Sequence, residues 1–192
     1  MLFLIFTGCG KTTNQEVQTT QATENKLAET GSDVIKTYIQ QKDKNDILNF
    51  SVESSFNIEG GLISVYRFYD QNNDEYEGST QFDYINGSYS IGTDDHTKVD
   101  KSVPFTQHEM SGQYSYNNKK KGYFVISGIV NDDKISKINV NFNDGQLADI
   151  TIDDNMTMYA YVINNDNAYK IGIQKITASD KNGNTVYQYR PG

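Results

Sequence analysis

Between Phe50 and Tyr189 apolar residues recur at every second position, in runs too short for helices, and each run ends in a cluster of Asn, Asp or Gly. A period of two sends alternate side chains to opposite faces of an extended chain. Separators such as Gly60-Gly61, Asn86-Gly87, Asn143-Asp144-Gly145 and Asp180-Lys181-Asn182-Gly183 supply the residue types that adopt positive φ and reverse the chain between strands. The pattern predicts strands over 50–58, 62–69, 80–85, 88–91, 105–116, 123–130, 135–142, 147–152, 156–163, 169–178 and 185–189. It leaves 93–102 as a loop and 117–122 as a turn. The run 62–69 is apolar on both faces apart from Ser64 and Arg67, as in a central strand. Short antiparallel strands at this spacing build a sandwich or a barrel, and the long polar loops favour the sandwich.

One segment breaks the period. After Ser32-Asp33, either of which can cap a helix, Val34, Ile35, Tyr38 and Ile39 fall on one helical face with Lys36, Gln40 and Lys42 opposite. A single N-terminal helix ending near Gln41 is expected, and Ile47-Leu48 reads as a further short turn. The fold class is therefore mainly β, an antiparallel sandwich with one N-terminal helix.

The first nine residues belong to neither pattern. Met1 to Phe6 is an unbroken apolar run closing on Thr7-Gly8-Cys9, which reads as a truncated lipoprotein signal, residues 1–8, cleaved between Gly8 and Cys9. No Lys or Arg precedes the run, and Phe6 holds the place where such sites most often carry Leu. The segment therefore reads as the tail of a longer signal. Cys9 would carry the lipid, and two acyl chains anchor a protein stably where one does not. It is the only cysteine, so no disulfide is expected. Residues 10–31 are polar, without an aromatic, and read as a tether with a typical reach of about 25 Å and about 70 Å at full stretch. Residues 32–192 form the globular region, with a possible subdivision near 119–122. These features imply a lipid-anchored protein on the extracytoplasmic face of a cell membrane.

A formal charge of −8 would repel phosphate backbones, so nucleic acid is excluded as a partner. Motifs for chemistry fail on inspection. His108-Glu109 is followed by Gly112 where a zinc protease needs a second His. His96 beside Asp94 and Asp95 hints at acid–base chemistry or at a metal site shared with His108, but solvent-facing side chains explain the pattern better. Asp70-Gln71-Asn72-Asn73-Asp74 opens like a calcium loop, but Glu75 and Gln81 occupy the sixth and twelfth places, which want Gly and Glu. Lys119-Lys120-Lys121 reads as a solubilised hairpin tip. No catalytic residue, metal ligand or cofactor is assigned. The remaining candidate is Tyr159 with Tyr161. If Met158, Ala160 and Val162 face the core, the two tyrosines form an exposed aromatic row suited to binding. Failing that face, the loops near 70–78 and 93–102 come next.

Ile126-Ser127-Gly128-Ile129-Val130-Asn131-Asp132-Asp133-Lys134-Ile135, Ile138-Asn139-Val140 and Asp180-Lys181-Asn182-Gly183-Asn184-Thr185-Val186-Tyr187 resemble the C-terminal β module of small uncharacterised secreted proteins and lipoproteins of Gram-positive bacteria. The resemblance implies an immunoglobulin-like C-terminal part and an extracytoplasmic address, and brings no catalytic residue. The functional expectation is a non-enzymatic protein that binds an envelope protein or wall polymer at the cell surface. The alternative is a wall-polymer hydrolase or transferase using dispersed carboxylates. A deep cleft with two carboxylates would favour the enzyme, and a shallow aromatic patch the binder.

Overall fold

The computed structural model describes residues 31–44, 46–85 and 88–190. A helix over 31–43 (α1) leads into eleven strands: β1 (Ile47–Ile58), β2 (Gly61–Asp70), β3 (Glu75–Ile85), β4 (Ser88–Lys98), β5 (His108–Tyr116), β6 (Lys119–Ile129), β7 (Lys137–Phe142), β8 (Leu147–Thr151), β9 (Met158–Asn165), β10 (Ile173–Ser179) and β11 (Thr185–Tyr189). They form three open sheets, ordered β1-β2-β3-β4, β5-β6-β9 and β11-β10-β7-β8, and every named pairing is antiparallel.

Alternation explains how these elements stack. On β2, Leu62, Tyr66 and Phe68 point to one side and meet Ile35 and Ile39 of α1 together with Phe82. Ile63 and Val65 point to the other side and meet Met110, Tyr123, Val125 and Met158 of the three-stranded sheet. That sheet is in turn covered on its far side. Phe124, Ile126, Tyr159 and Ile163 pack with Ile138, Val140, Phe142 and Ile176 of the third sheet. The order of layers is helix, four-stranded sheet, three-stranded sheet, four-stranded sheet. The middle sheet thus has a core on both faces, which is why Tyr123 to Ile129 is buried without interruption.

Several boundaries differ from the sequence expectation, each for a local reason. β4 runs on to Lys98 through residues expected as loop, and β3 begins at Glu75 instead of Thr80. The two strands pair from Tyr76↔Lys98 to Ile85↔Ser88, with one register shift between Gln81 and Phe82, so polar side chains on both faces did not end the ladder. Ile47 and Leu48 pair with Asp70 and Tyr69 as strand, not turn. The β5–β6 turn is only Asn117-Asn118, both at positive φ (49° and 61°), the geometry of a two-residue hairpin turn. Residues 119–122, expected as turn and possible subdivision, instead open β6 and pair with 113–116 of β5. A short 3-10 helix, Ala168–Lys170, precedes β10 where strand was expected.

Candidate functional site

The expected aromatic face is not there. Tyr159 is 1% exposed, its ring within 6.1 Å of Phe105, and its hydroxyl donates to the Thr106 carbonyl at 2.9 Å. Tyr161 is half-buried and stacks at 6.1 Å with Phe142. The expectation assumed that only one face of this strand met a core, whereas Tyr159 and Tyr161 look into the third sheet while Met158, Ala160 and Val162 look into the first. Gly8 and Cys9, the expected cleavage and lipidation site, lie outside the described residues.

A concave site forms instead where the three sheets meet. It is a cleft of ≈ 410 Å³ lined by Glu77 of β3, Thr97 and Lys98 of β4, Asp100 to Gln107 in part, Glu109 of β5, and Tyr187 and Tyr189 of β11. Register explains Glu77. It alternates with Tyr76, which packs on the helix side, so Glu77 and Ser79 point inward against β5 and β6. His108 and Ser127 face each other across β5 and β6, on the face that carries Met110 and Val125 toward the first sheet. The interlayer is therefore apolar under β1 and β2 and polar under β3 and β4.

Glu77 is 0% exposed, and neither of its carboxyl oxygens has a hydrogen-bond partner among the described residues. Ser79 Oγ, His108 Nε2 and Ser127 Oγ nearby are equally without one. Burial pushes the Glu77 carboxyl up to about 7, with the Glu75 charge adding to the rise. The Thr106 hydroxyl and the Ile129 N–H pull it back, though neither completes a hydrogen bond to it of normal geometry; Ile129 N–H donates to Thr106 Oγ1 at 2.7 Å instead. Burial likewise raises Glu109, against a Gln107 side chain that hydrogen-bonds to it. His108 is pushed down by burial, with Asp95 acting in the opposite sense.

The second polar cluster is partly closed on itself, with Asp94 Oδ2 and His96 Nδ1 lacking a hydrogen bond among the described residues. Asp94 accepts from the Tyr66 hydroxyl at 2.8 Å and from Thr80 at 2.6 Å. Lys42 Nζ stands 3.6 Å from its other oxygen. His96 Nε2 reaches Asp43 at 2.8 Å, so the end of α1 is fastened to β4. Burial would raise the Asp94 carboxyl, but His96, Thr80 and Tyr66 outweigh it and hold the carboxyl low. Burial would lower His96, but Asp94 and Asp43 carry it upward. This cluster docks the helix and does not line the cleft.

The other candidates are structural. Asp70 accepts from the backbone N–H groups of Asn72 and Asp74, both at 2.9 Å, closing the β2–β3 turn. Lys121 bridges Glu59 and Asp166 at 3.1 and 3.0 Å. Among the described residues no three His, Cys, Asp or Glu side chains converge as a metal-holding group, and no helix is long and apolar enough to cross a membrane. Sequence reasoning missed Glu77 altogether. Its one signal was an alternation, Glu75, Glu77 and Ser79 against Tyr76 and Thr80, with the polar set on the inner side. No protein family, curated protein or solved structure matches the chain.

Proposed function

We propose that this protein is held to the outer face of a bacterial membrane by a lipid on Cys9 and binds a segment of cell-wall polymer in the cleft between its sheets, without catalysing a reaction on it. The observation that carries the reading is the cleft itself. At ≈ 410 Å³ it has the size of a small-ligand site, too narrow for a folded partner. It combines aromatic rings with a few polar groups, the composition that stacks on and hydrogen-bonds to polar rings. The anchor rests on the apolar run before Cys9 and the polar stretch after it.

The C-terminal strands are taken as the immunoglobulin-like module that the resemblance implies. Seven strands, β5 to β11, form sheets of three and four over one core. Numbered in their own order, the first, second and fifth make one sheet and the third, fourth, sixth and seventh the other. The constant-type immunoglobulin domain differs only in the sheet that holds the fourth strand, an edge strand here.

Glu77 and Glu109 in one cleft also favour a hydrolase reading, with Glu77 as the proton donor. A general acid must come within about 3 Å of the group it protonates, and the Glu77 carboxyl is sealed from solvent. Binding without turnover is the better reading.

The test uses the full chain in a Gram-positive host and on purified walls. Wild type should incorporate fatty acid, sediment with walls and release no new sugar ends. Cys9→Ala should remain unprocessed or be released from the membrane. Tyr187→Leu with Tyr189→Leu, which keeps apolar bulk where both rings pack against the core, should abolish sedimentation while the circular dichroism spectrum stays that of wild type. A double variant that sediments like wild type would place binding outside the cleft.

A further inference from the structure

The ligand class follows from the charges around the cleft, granted that the cleft is the binding site. We infer that it takes an amine-bearing ligand, with a protonated ammonium group seated among the rings of Tyr187 and Tyr189 and the carboxyl groups of Asp100 and Glu109, above the buried carboxyl of Glu77. Three acidic side chains line the cleft against a single cation, Lys98. That cation is drawn away, its Nζ 2.6 Å from Asp74. A phosphate or carboxylate ligand entering here would meet like charge. A cation over tyrosine rings gains from their negative faces, most where water is excluded.

Glu77 supplies the independent observation. It is fully buried, it belongs to the lining of the cleft, and neither carboxyl oxygen is partnered. The groups facing it are Glu75 on its own strand, Arg67 opposite on β2, Thr97 opposite on β4, and Thr106 at the loop. Arg67 is turned to Glu53, with its Nε at 2.8 Å, and to Glu75, with its Nη1 at 3.8 Å. An ionised Glu77 is thus a buried negative charge awaiting a positive one, and a neutral polymer would leave it unrelieved. Contact is not required, because the field of a buried charge crosses several ångströms of low-dielectric protein. Glu109 is exposed, and Asp100 stands with it at the accessible end of the lining. These two can meet the ammonium directly.

The experiment measures sedimentation of the full chain on purified Gram-positive walls, either native or N-acetylated with acetic anhydride, which removes amine charge and leaves the polymer in place. Native walls should bind and acetylated walls should bind about tenfold more weakly or less. Glu77→Gln should weaken binding to native walls by about tenfold while folding normally, and the exposed Asp133→Asn, with the same change in net charge, should not. Equal binding to both walls would overturn the amine assignment and leave the wall-binding reading standing. Binding to neither would remove the wall-binding reading and this inference with it. Glu77→Gln behaving as wild type, or Asp133→Asn weakening binding as much, would show that the buried carboxyl plays no part.

Discussion

The hydroxyl of Tyr159 donates to the backbone carbonyl of Thr106 at 2.9 Å, so a strand of the middle sheet holds the loop that forms one wall of the cleft. Tyr159→Phe keeps the ring and deletes this bond, leaving a buried carbonyl short of a donor. The expected cost is about 1–2 kcal/mol in urea unfolding, with faster amide exchange around Thr106. Tyr159→Ser also removes a buried ring and should cost about 3–5 kcal/mol. A Tyr159→Phe variant as stable as wild type would mean that the loop is held by its other contacts.

The same loop fixes the requirement for glycine at position 128. A Cβ there would collide with the Thr106 carbonyl oxygen and stand 2.6 Å from the Tyr159 ring. Backbone cannot yield as a flexible side chain does, so Gly128→Ala should destabilise by about 3 kcal/mol. Gly145→Ala is a useful contrast. Nothing lies within 4 Å of its Cβ position, but its φ of +85° strains any L-residue, and its cost should stay near 1 kcal/mol. Thermal melts of the two variants should rank in that order.

The alternation of apolar residues was enough to locate most strands, and β11 lies over the 185–189 stretch that the pattern marks. It identified β2 as central, since Leu62, Ile63, Val65, Tyr66 and Phe68 are buried on both faces. Alternation separates two faces but does not say whether a second sheet covers the outer one. That is how Tyr159 was taken for a surface residue. Tyr123 to Ile126 lacks alternation in the sequence, and its burial on both faces is a signal that a search for period two passes over. The second half of β4 was illegible because Thr93 to Lys98 is polar throughout. Its stability comes from partners remote in the chain, Tyr66, Thr80 and the end of α1, which engage Asp94 Oδ1 and His96 Nε2. Glu77 was hidden because the alternation around it puts the polar set, Glu75, Glu77 and Ser79, on the inner face, where a sequence reading expects apolar residues.

Glu77 makes stability fall as pH rises. Its carboxyl is raised from 4.5 to about 7 in the fold, so between those values the unfolded chain has lost a proton that the native state still holds. Stability is full below about 4.5, declines through this window and levels off above about 7, by an amount on the order of 3 kcal/mol. Glu77→Gln cannot ionise. Its urea midpoint should match wild type near pH 4.5 and exceed it increasingly toward pH 8. Parallel pH profiles for the two proteins would show that Glu77 ionises as freely in the fold as in the unfolded chain.

The two histidines should titrate on opposite sides of the ordinary value of 6.5, His96 above it and His108 below. His96 is raised because Asp94 and the Asp43 carboxylate, 2.8 Å from Nε2, overcome burial. The stability it contributes is present below 6.5 and lost as pH climbs through its folded pKa. His108 is lowered because burial dominates and its Nε2 has no partner. It therefore contributes stability above 6.5, lost as pH falls toward its folded pKa. Imidazole chemical shifts followed by NMR between pH 4 and 9 would resolve both curves. Asp43→Asn should move the His96 curve down and, by discharging His96, ease the His108 curve slightly upward, because the His96 charge is one of the groups that lower His108. A coincident titration of both rings near 6.5 would mean that neither is held as the structure describes. A His108 curve that does not move at all in Asp43→Asn would mean that the two rings titrate independently.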